Sequence, residues 1–278
     1  MGIDIHGLNF LRYAAKKKAL GRVATIGRQS LIVPSVQPGG GFCEEFLAKQ
    51  FSARVVDSYD YSDYEGATHI VDMNRPLVTA EEYDTVVDCG TTEHIFNVSQ
   101  ALRNVSTLAA RGAQIIHVLP ANNFCGHGFW QFSPELFFSL YSEGNGFTET
   151  EVFLADLENN RAWFAVKQPT DGERALVISR SPLYVLCRTR KLSDVSCESV
   201  QQSDYVYSWS RTSRVVQSRS EIIERTKRIV KRSPLVHRSL LAVYGKARRS
   251  VQVFGNSFSL SNRNRYLRKL SVAKLLAG

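Results

Sequence analysis

Residues 83–123 constrain the fold more than any other stretch: YDTVVDCGTTEHIFNVSQALRNVSTLAARGAQIIHVLPANN. An apolar run through Val86 and Val87 ends at Asp88, and a polar loop from Cys89 to His94 follows. Ile95, Val98, Leu102, Val105 and Leu108 then recur at helical spacing and define one apolar face. Arg111-Gly112 supplies a cation and a glycine stop, and Ala113 to Leu119 is a second apolar run. Strand, helix and strand joined by short loops predict a parallel crossover. Ligands in open α/β sheets bind beyond the carboxyl ends of the strands. Asp88–His94 and Pro120–His127 both sit at such ends, and both are rich in polar residues.

The rest of the chain repeats the pattern. Residues 4–20 read as a leading helix and Arg22 to Ile26 as a strand followed by Gly27. Pro34 to Gly41 reads as a loop, Cys43 to Phe51 as a helix and Ala53 to Val56 as a strand running into Asp57 and Asp60. Ala67 to Val71 is another strand, ending at Asp72-Met73-Asn74. After a helix near Ser133, Thr148–Leu157, Ala162–Val166 and Leu183–Thr189 read as strands. Alternating strands and helices predict an α/β domain with a doubly wound, mostly parallel Rossmann-like sheet, here over 1–195. A Ser-rich linker is expected at 196–216 and a basic helical extension at 217–278. The extension carries a capping box at Ser218 and Glu221, a Ser233-Pro234 helix start and a third helix over Asn262–Leu276.

Charge divides the chain. Residues 203–278 hold 17 Lys or Arg against 3 Asp or Glu, whereas the remainder holds 18 against 23. A solvated helical face, docking on a membrane surface or anionic partner, and nucleic-acid binding are three readings of that basic stretch. Nucleic acid is the least favoured, because no recognisable nucleic-acid module is present. No apolar run approaches the ~18 residues of a membrane span. Five scattered cysteines without a C-x-x-C pair argue against a disulfide framework or a zinc site, and for a reducing cytoplasm. No metal is expected.

The ordered set Asp88, Glu93-His94, Arg111-Gly112, Ile115–Leu119 and Phe132-Ser133-Pro134-Glu135 resembles the class I S-adenosylmethionine-dependent methyltransferase family, type 11-like, over roughly residues 20–190. The resemblance implies an antiparallel C-terminal hairpin at the sheet edge. It also implies a cofactor site in which Gly27 lies at the first turn, Asp60, with Asp57 as the alternative, takes the ribose hydroxyls, and Asp72 and Met73 meet the adenine. Asp88 and Gly90 would stand at the fourth strand end. His127 and His94 are the candidate catalytic residues. Asn122, Asn123 and Trp130 are candidates for binding a small-molecule or glycan-type hydroxyl or amine acceptor. Two glycines flank His127 in a segment with flat aromatic walls, and imidazole titrates near neutral pH. The first glycine motif departs from the family: Thr25-Ile26-Gly27-Arg28-Gln29-Ser30 lacks its acid and its later glycines. The alternative is therefore a methyltransferase-like domain that has lost catalysis and serves as a binding or scaffold module.

Overall fold

The computed structural model describes residues 2–36, 41–170, 172–194, 200–212 and 258–277. In chain order the elements begin with β1 (Gly2–Ile3), α1 (Ile5–Lys17), β2 (Arg22–Ile26), β3 (Ser30–Leu31), α2 (Cys43–Phe51), β4 (Val55–Asp60) and β5 (His69–Ile70). Next come β6 (Tyr83–Cys89), α3 (Val98–Leu108), β7 (Ala109–Pro120), α4 (Pro134–Leu140), β8 (Phe147–Asp156), β9 (Ala162–Val166) and β10 (Leu183–Lys191). The chain continues through α5 (Ser203–Thr212), β11 (Leu267–Ser271) and α6 (Val272–Ala277).

One sheet of nine strands runs β11-β9-β8-β10-β7-β6-β2-β4-β5. The five strands from β7 to β5 are parallel, and β10, β8, β9 and β11 each pair antiparallel with their neighbours. The expected doubly wound sheet with its antiparallel hairpin is present. Side chains alternate across the pleat, so each strand feeds two cores. Val86, Ile115, Val185 and Leu154 face one side, with Ala101 and Val105 of α3 and Phe137 of α4. Val87, Ile116, Leu186 and Phe153 face the other, with Leu8, Phe10 and Leu11 of α1 and with Trp163. Near-continuous apolar runs are what a strand covered on both faces needs. Asp4 caps α1, accepting from the Gly7 N–H at 2.9 Å.

The chain leaves β2 for β4 and β5 on one side, then returns to β6 on the other. The strand order therefore reverses at β2. The crevice above its carboxyl end, between Gly27 and the Cys89–His94 loop, is where such a sheet holds a ligand.

Four expectations are corrected. Helix α3 stops at Leu108, before Arg111-Gly112, because the Lys191 ammonium binds the Ser106 and Ala109 carbonyls at 3.0 and 2.9 Å and closes it early. Gly112, at φ +83°, sits instead in an irregularity of β7, where the register to β6 shifts. The expected linker contains α5, tied to the domain by the Arg174–Asp204 ion pair at 2.5 Å. Asn262–Leu276 is not a helix: Leu267–Ser271 is the edge strand β11 against β9, and only Val272–Ala277 is helical. The end of the basic extension is thus part of the main sheet. Its two earlier helix starts, at Ser218 and Ser233, lie outside the described residues, as does most of the basic stretch. No helix among the described residues is long and apolar enough to cross a membrane.

Candidate functional site

The carboxyl ends of β2, β4 and β6 bring three sequence candidates near one another. Gly27 takes φ +74°, and a Cβ there would lie 2.5 Å from Thr91 Oγ1. Glycine is required for that close approach. Asp60 ends β4, half-buried, with Oδ2 accepting from the Arg28 N–H at 2.9 Å and Oδ1 from the Tyr61 N–H at 2.7 Å. With one backbone donor per oxygen, each oxygen keeps further acceptor capacity. Gly90 adopts φ +86°, and a Cβ there would stand 3.4 Å from Glu93 Oε1.

The crevice itself is partly filled. Gln29 is fully buried and donates to the Ile26 carbonyl at 2.6 Å and to Thr91 Oγ1 at 2.9 Å. The Arg28 guanidinium lies 4.0 Å over the Phe42 ring, pairs with Glu44 at 2.8 Å and reaches the Glu65 and Gly66 carbonyls. Arg28 and Gln29 thus occupy space that a glycine-rich turn would leave open. Asp60 and Gly27 stand where the resemblance expects a nucleoside contact, whereas the stretch beside them is built differently from the family pattern.

The other expected cofactor residues make structural contacts. Asp88 is fully buried: His117 Nδ1 lies 2.9 Å from Oδ2, the Thr92 hydroxyl donates to the same oxygen, and the Thr91 and Thr92 N–H groups approach Oδ1 at 3.3 Å. Asp72 closes a local turn, accepting from the backbone and side chain of Asn74 at 3.0 and 2.8 Å; those hydrogen bonds hold its carboxyl below the usual range. Met73 is buried, and its carbonyl accepts from the Asn104 amide at 3.1 Å.

The opposite wall gathers the titratable side chains. Thr92–His94 forms a single 3-10 turn that points Glu93 inward and leaves His94 exposed. Glu93 is fully buried, and its Oε2 has no hydrogen-bond partner. Burial first, and the nearby Asp88 charge second, push its carboxyl up to about 8. The Phe129 and Trp130 N–H groups donate to the Glu93 carbonyl at 2.8 and 3.2 Å, which straps the 124–130 loop across this turn. Gly128, at φ +71°, permits the contact, since a Cβ would fall 2.8 Å from the Glu93 carbonyl oxygen. The strap sets His127 Nε2 at 3.3 Å from Glu93 Oε1, while His94 Nε2 stands 3.8 Å from that oxygen. The two imidazoles meet edge to face at 4.9 Å. Burial, then the neighbouring His127, hold the His94 imidazole below its ordinary value.

His127 and His94 are therefore brought together, whereas Asn122 and Asn123 are not part of the group. Their amides donate to the Val177, Ser179 and Ser181 carbonyls and tie the loop to the preceding edge of β10. Trp130 donates its indole N–H to the Ile95 carbonyl at 2.9 Å. Beside it Phe96 and Phe129 stand 74% and 68% exposed, an aromatic rim at the mouth. Sequence reasoning missed Glu93 as the centre of the group. Its one signal was an acid directly preceding His94 at a strand end.

No family model matches this chain, and no curated protein matches it. Among solved structures it is similar to an S-adenosylmethionine-dependent methyltransferase from Thermotoga maritima, at 14% identity over 67% of this chain and 91% of that one, with a TM-score of 0.38. It is also similar to the N-methyltransferase NodS from Bradyrhizobium japonicum WM9 in complex with S-adenosyl-L-homocysteine, at 14% identity over 68% and 86% with a TM-score of 0.38. A third likeness is to the O-methyltransferase of a trans-AT polyketide synthase multienzyme from Brevibacillus brevis, also in complex with S-adenosyl-L-homocysteine. It has 10% identity over 74% and 78% and a TM-score of 0.42.

Proposed function

We propose that this chain transfers a methyl group from S-adenosylmethionine to a hydroxyl or amine on a small-molecule or glycan acceptor. The observation that carries the reading is the division of the crevice at the reversal of strand order. On one side the half-buried Asp60 carboxyl takes one backbone N–H on each oxygen and keeps acceptor capacity for a ribose diol. On the other, Glu93, His94 and His127 gather their polar atoms within 4.8 Å of one another. S-adenosylmethionine would supply an electrophilic methyl group; the rest falls to the protein's own side chains.

Asp60 and the backbone at Gly27 and Arg28 would hold the nucleoside. The rim of Phe96, Phe129 and Trp130 offers flat apolar faces against which an acceptor ring can stack. The His127 imidazole stands beside the buried Glu93 carboxyl, an arrangement that orients the ring so that it can receive a proton from a hydroxyl or ammonium. Holding donor and acceptor in line supplies much of the rate in such a transfer.

Titration calorimetry with S-adenosylhomocysteine tests the reading. Saturable micromolar binding is expected, weakened about tenfold or more, ~1.4 kcal/mol, by Asp60→Ala. Absence of heat from a folded protein would favour the second reading, a binding module without catalysis. The specific observation behind that reading is the filling of the crevice by Gln29, Thr91 and the Arg28 guanidinium.

A further inference from the structure

We infer that Glu93, His94 and His127 form a binding site for a divalent transition-metal ion of the zinc type. Three ligand atoms are present, one carboxylate oxygen and two imidazole nitrogens, all within 4.8 Å of one another. Ligand atoms ~2.1 Å from a tetrahedral zinc stand about 3.4 Å apart. The Glu93 Oε1 separations of 3.3 Å from His127 Nε2 and 3.8 Å from His94 Nε2 bracket that spacing, so a cation can be seated with small side-chain rotations.

A second observation is independent of the spacing. Glu93 Oε2 is buried without a hydrogen-bond partner, and burying a carboxyl oxygen unsatisfied is costly. No Lys or Arg side chain pairs with Glu93 among the described residues, so the nearest groups that could balance its charge are the two imidazoles. A cation between the three would bind Oε1, balance the charge of a carboxyl whose other oxygen is buried without a partner, and draw both nitrogens to one point.

The support is preorganised as well. The two N–H bonds to the Glu93 carbonyl and the glycine contact at 128 hold the His127 loop against the Glu93 turn, although the two lie 34 residues apart. Two imidazoles select zinc, cobalt, iron or nickel over magnesium and calcium, which prefer all-oxygen shells. Two of the ligands are partly exposed, with side-chain exposures of 38% and 47%, so a fourth position stays open to water or to an acceptor oxygen. That is the pattern of a catalytic rather than a structural zinc site. Use of the ion to hold and acidify an acceptor hydroxyl rests on the methyl-transfer reading; binding of the ion does not.

The experiment uses the full chain, stripped with chelator and free of nucleoside. Cobalt(II) is titrated by visible absorption, and zinc by calorimetry with magnesium as control. One equivalent of cobalt with tetrahedral d–d bands, displaced by zinc and indifferent to magnesium, is expected. His94→Ala and His127→Ala, both at exposed positions, should each weaken zinc at least as much as the ~10–100-fold that outer-shell changes cost. Cys125→Ser, an exposed thiol on the same loop, should leave binding unchanged. Absence of a cobalt band, zinc binding unaltered in the double histidine variant, or its loss in Cys125→Ser would each overturn the site. S-adenosylhomocysteine binding is measured on the same samples. Metal failure with nucleoside binding retained condemns only this inference, and the reverse condemns only the methyl-transfer reading.

Discussion

Asp88 Oδ2 and His117 Nδ1 lie 2.9 Å apart with both side chains fully buried, and the far ring nitrogen, His117 Nε2, meets the Tyr141 hydroxyl at 2.6 Å. The chain of three groups crosses from β6 through β7 to the end of α4. It satisfies an acid that would otherwise be isolated beneath the crevice. Removing one partner of such a buried pair strands the other.

Asp88→Ala is therefore expected to cost about 3 kcal/mol or more in urea denaturation, because His117 and the Thr92 hydroxyl lose their acceptor. Asp88→Asn, which keeps an oxygen in place, should cost less. If Asp88 touched cofactor instead, both variants would fold with near-native stability and fail only in nucleoside binding. That pattern would refute the structural role.

The distinction between Asp60 and Asp88 shows what the sequence could and could not reveal. Both are acids at strand ends, and period and spacing place both correctly. Which one faces solvent depends on His117, 29 residues further on, whose ring rises from the next strand to claim Asp88. Strand β2 was legible to its boundaries, because RVATI is a short β-branched run closed by Gly27. β11 was misread because LRKLS interleaves leucines with cations, a pattern that suits a helix face as well as an edge strand, and pairing with β9 decides it. The Glu93 group was illegible for a related reason: its burial is imposed by a loop that returns from residue 128.

That loop gives a paired glycine prediction. Gly128→Ala places a Cβ 2.8 Å from the Glu93 carbonyl oxygen at φ +71°, a strained position for any side chain. Gly126→Ala meets nothing within 4 Å. The first should lower stability by about 1–3 kcal/mol and weaken zinc binding, while the second should leave both within ~0.5 kcal/mol of wild type. Equal behaviour of the two in thermal melts and zinc titration would show that the strap does not position His127.

His6 provides a pH test away from the site. Its ring is buried, with neither nitrogen hydrogen-bonded, and packs edge to face on Tyr184 at 6.3 Å. Burial holds its pKa below 6.5, against the opposing pull of Asp4 and Asp156. The unfolded chain therefore binds the proton more readily than the native one. Stability from this residue is fully present above the unfolded value of about 6.5 and is lost as pH falls below it, by up to about 1.4 kcal/mol per pH unit until the folded pKa is reached. His6→Leu should flatten the difference between urea midpoints at pH 7.5 and 5.5. Parallel profiles for the two proteins would mean that His6 takes up its proton as readily in the native state as in the unfolded chain, and would overturn the burial effect.

The last prediction concerns the C-terminus, where a separable extension and an integral strand make opposite claims. β11 covers the outer edge of β9, pairing Leu267 with Val166 and Leu270 with Trp163. α6 then returns to α1, where Lys16 binds the Leu276 carbonyl and Val272 is buried. Deleting residues 267–278 removes a row of backbone partners and bares the β9 edge, with Phe164 and Val166 now beside open N–H and C=O groups. Unpaired apolar edges recruit other chains. The truncated protein is expected to melt several degrees lower and to enter soluble aggregates in light scattering, whereas the full chain stays monodisperse at the same concentration. An unchanged melting temperature with no aggregation would show that the domain is complete without β11, and that the carboxyl-terminal strand is an accessory to a sheet ending at β9.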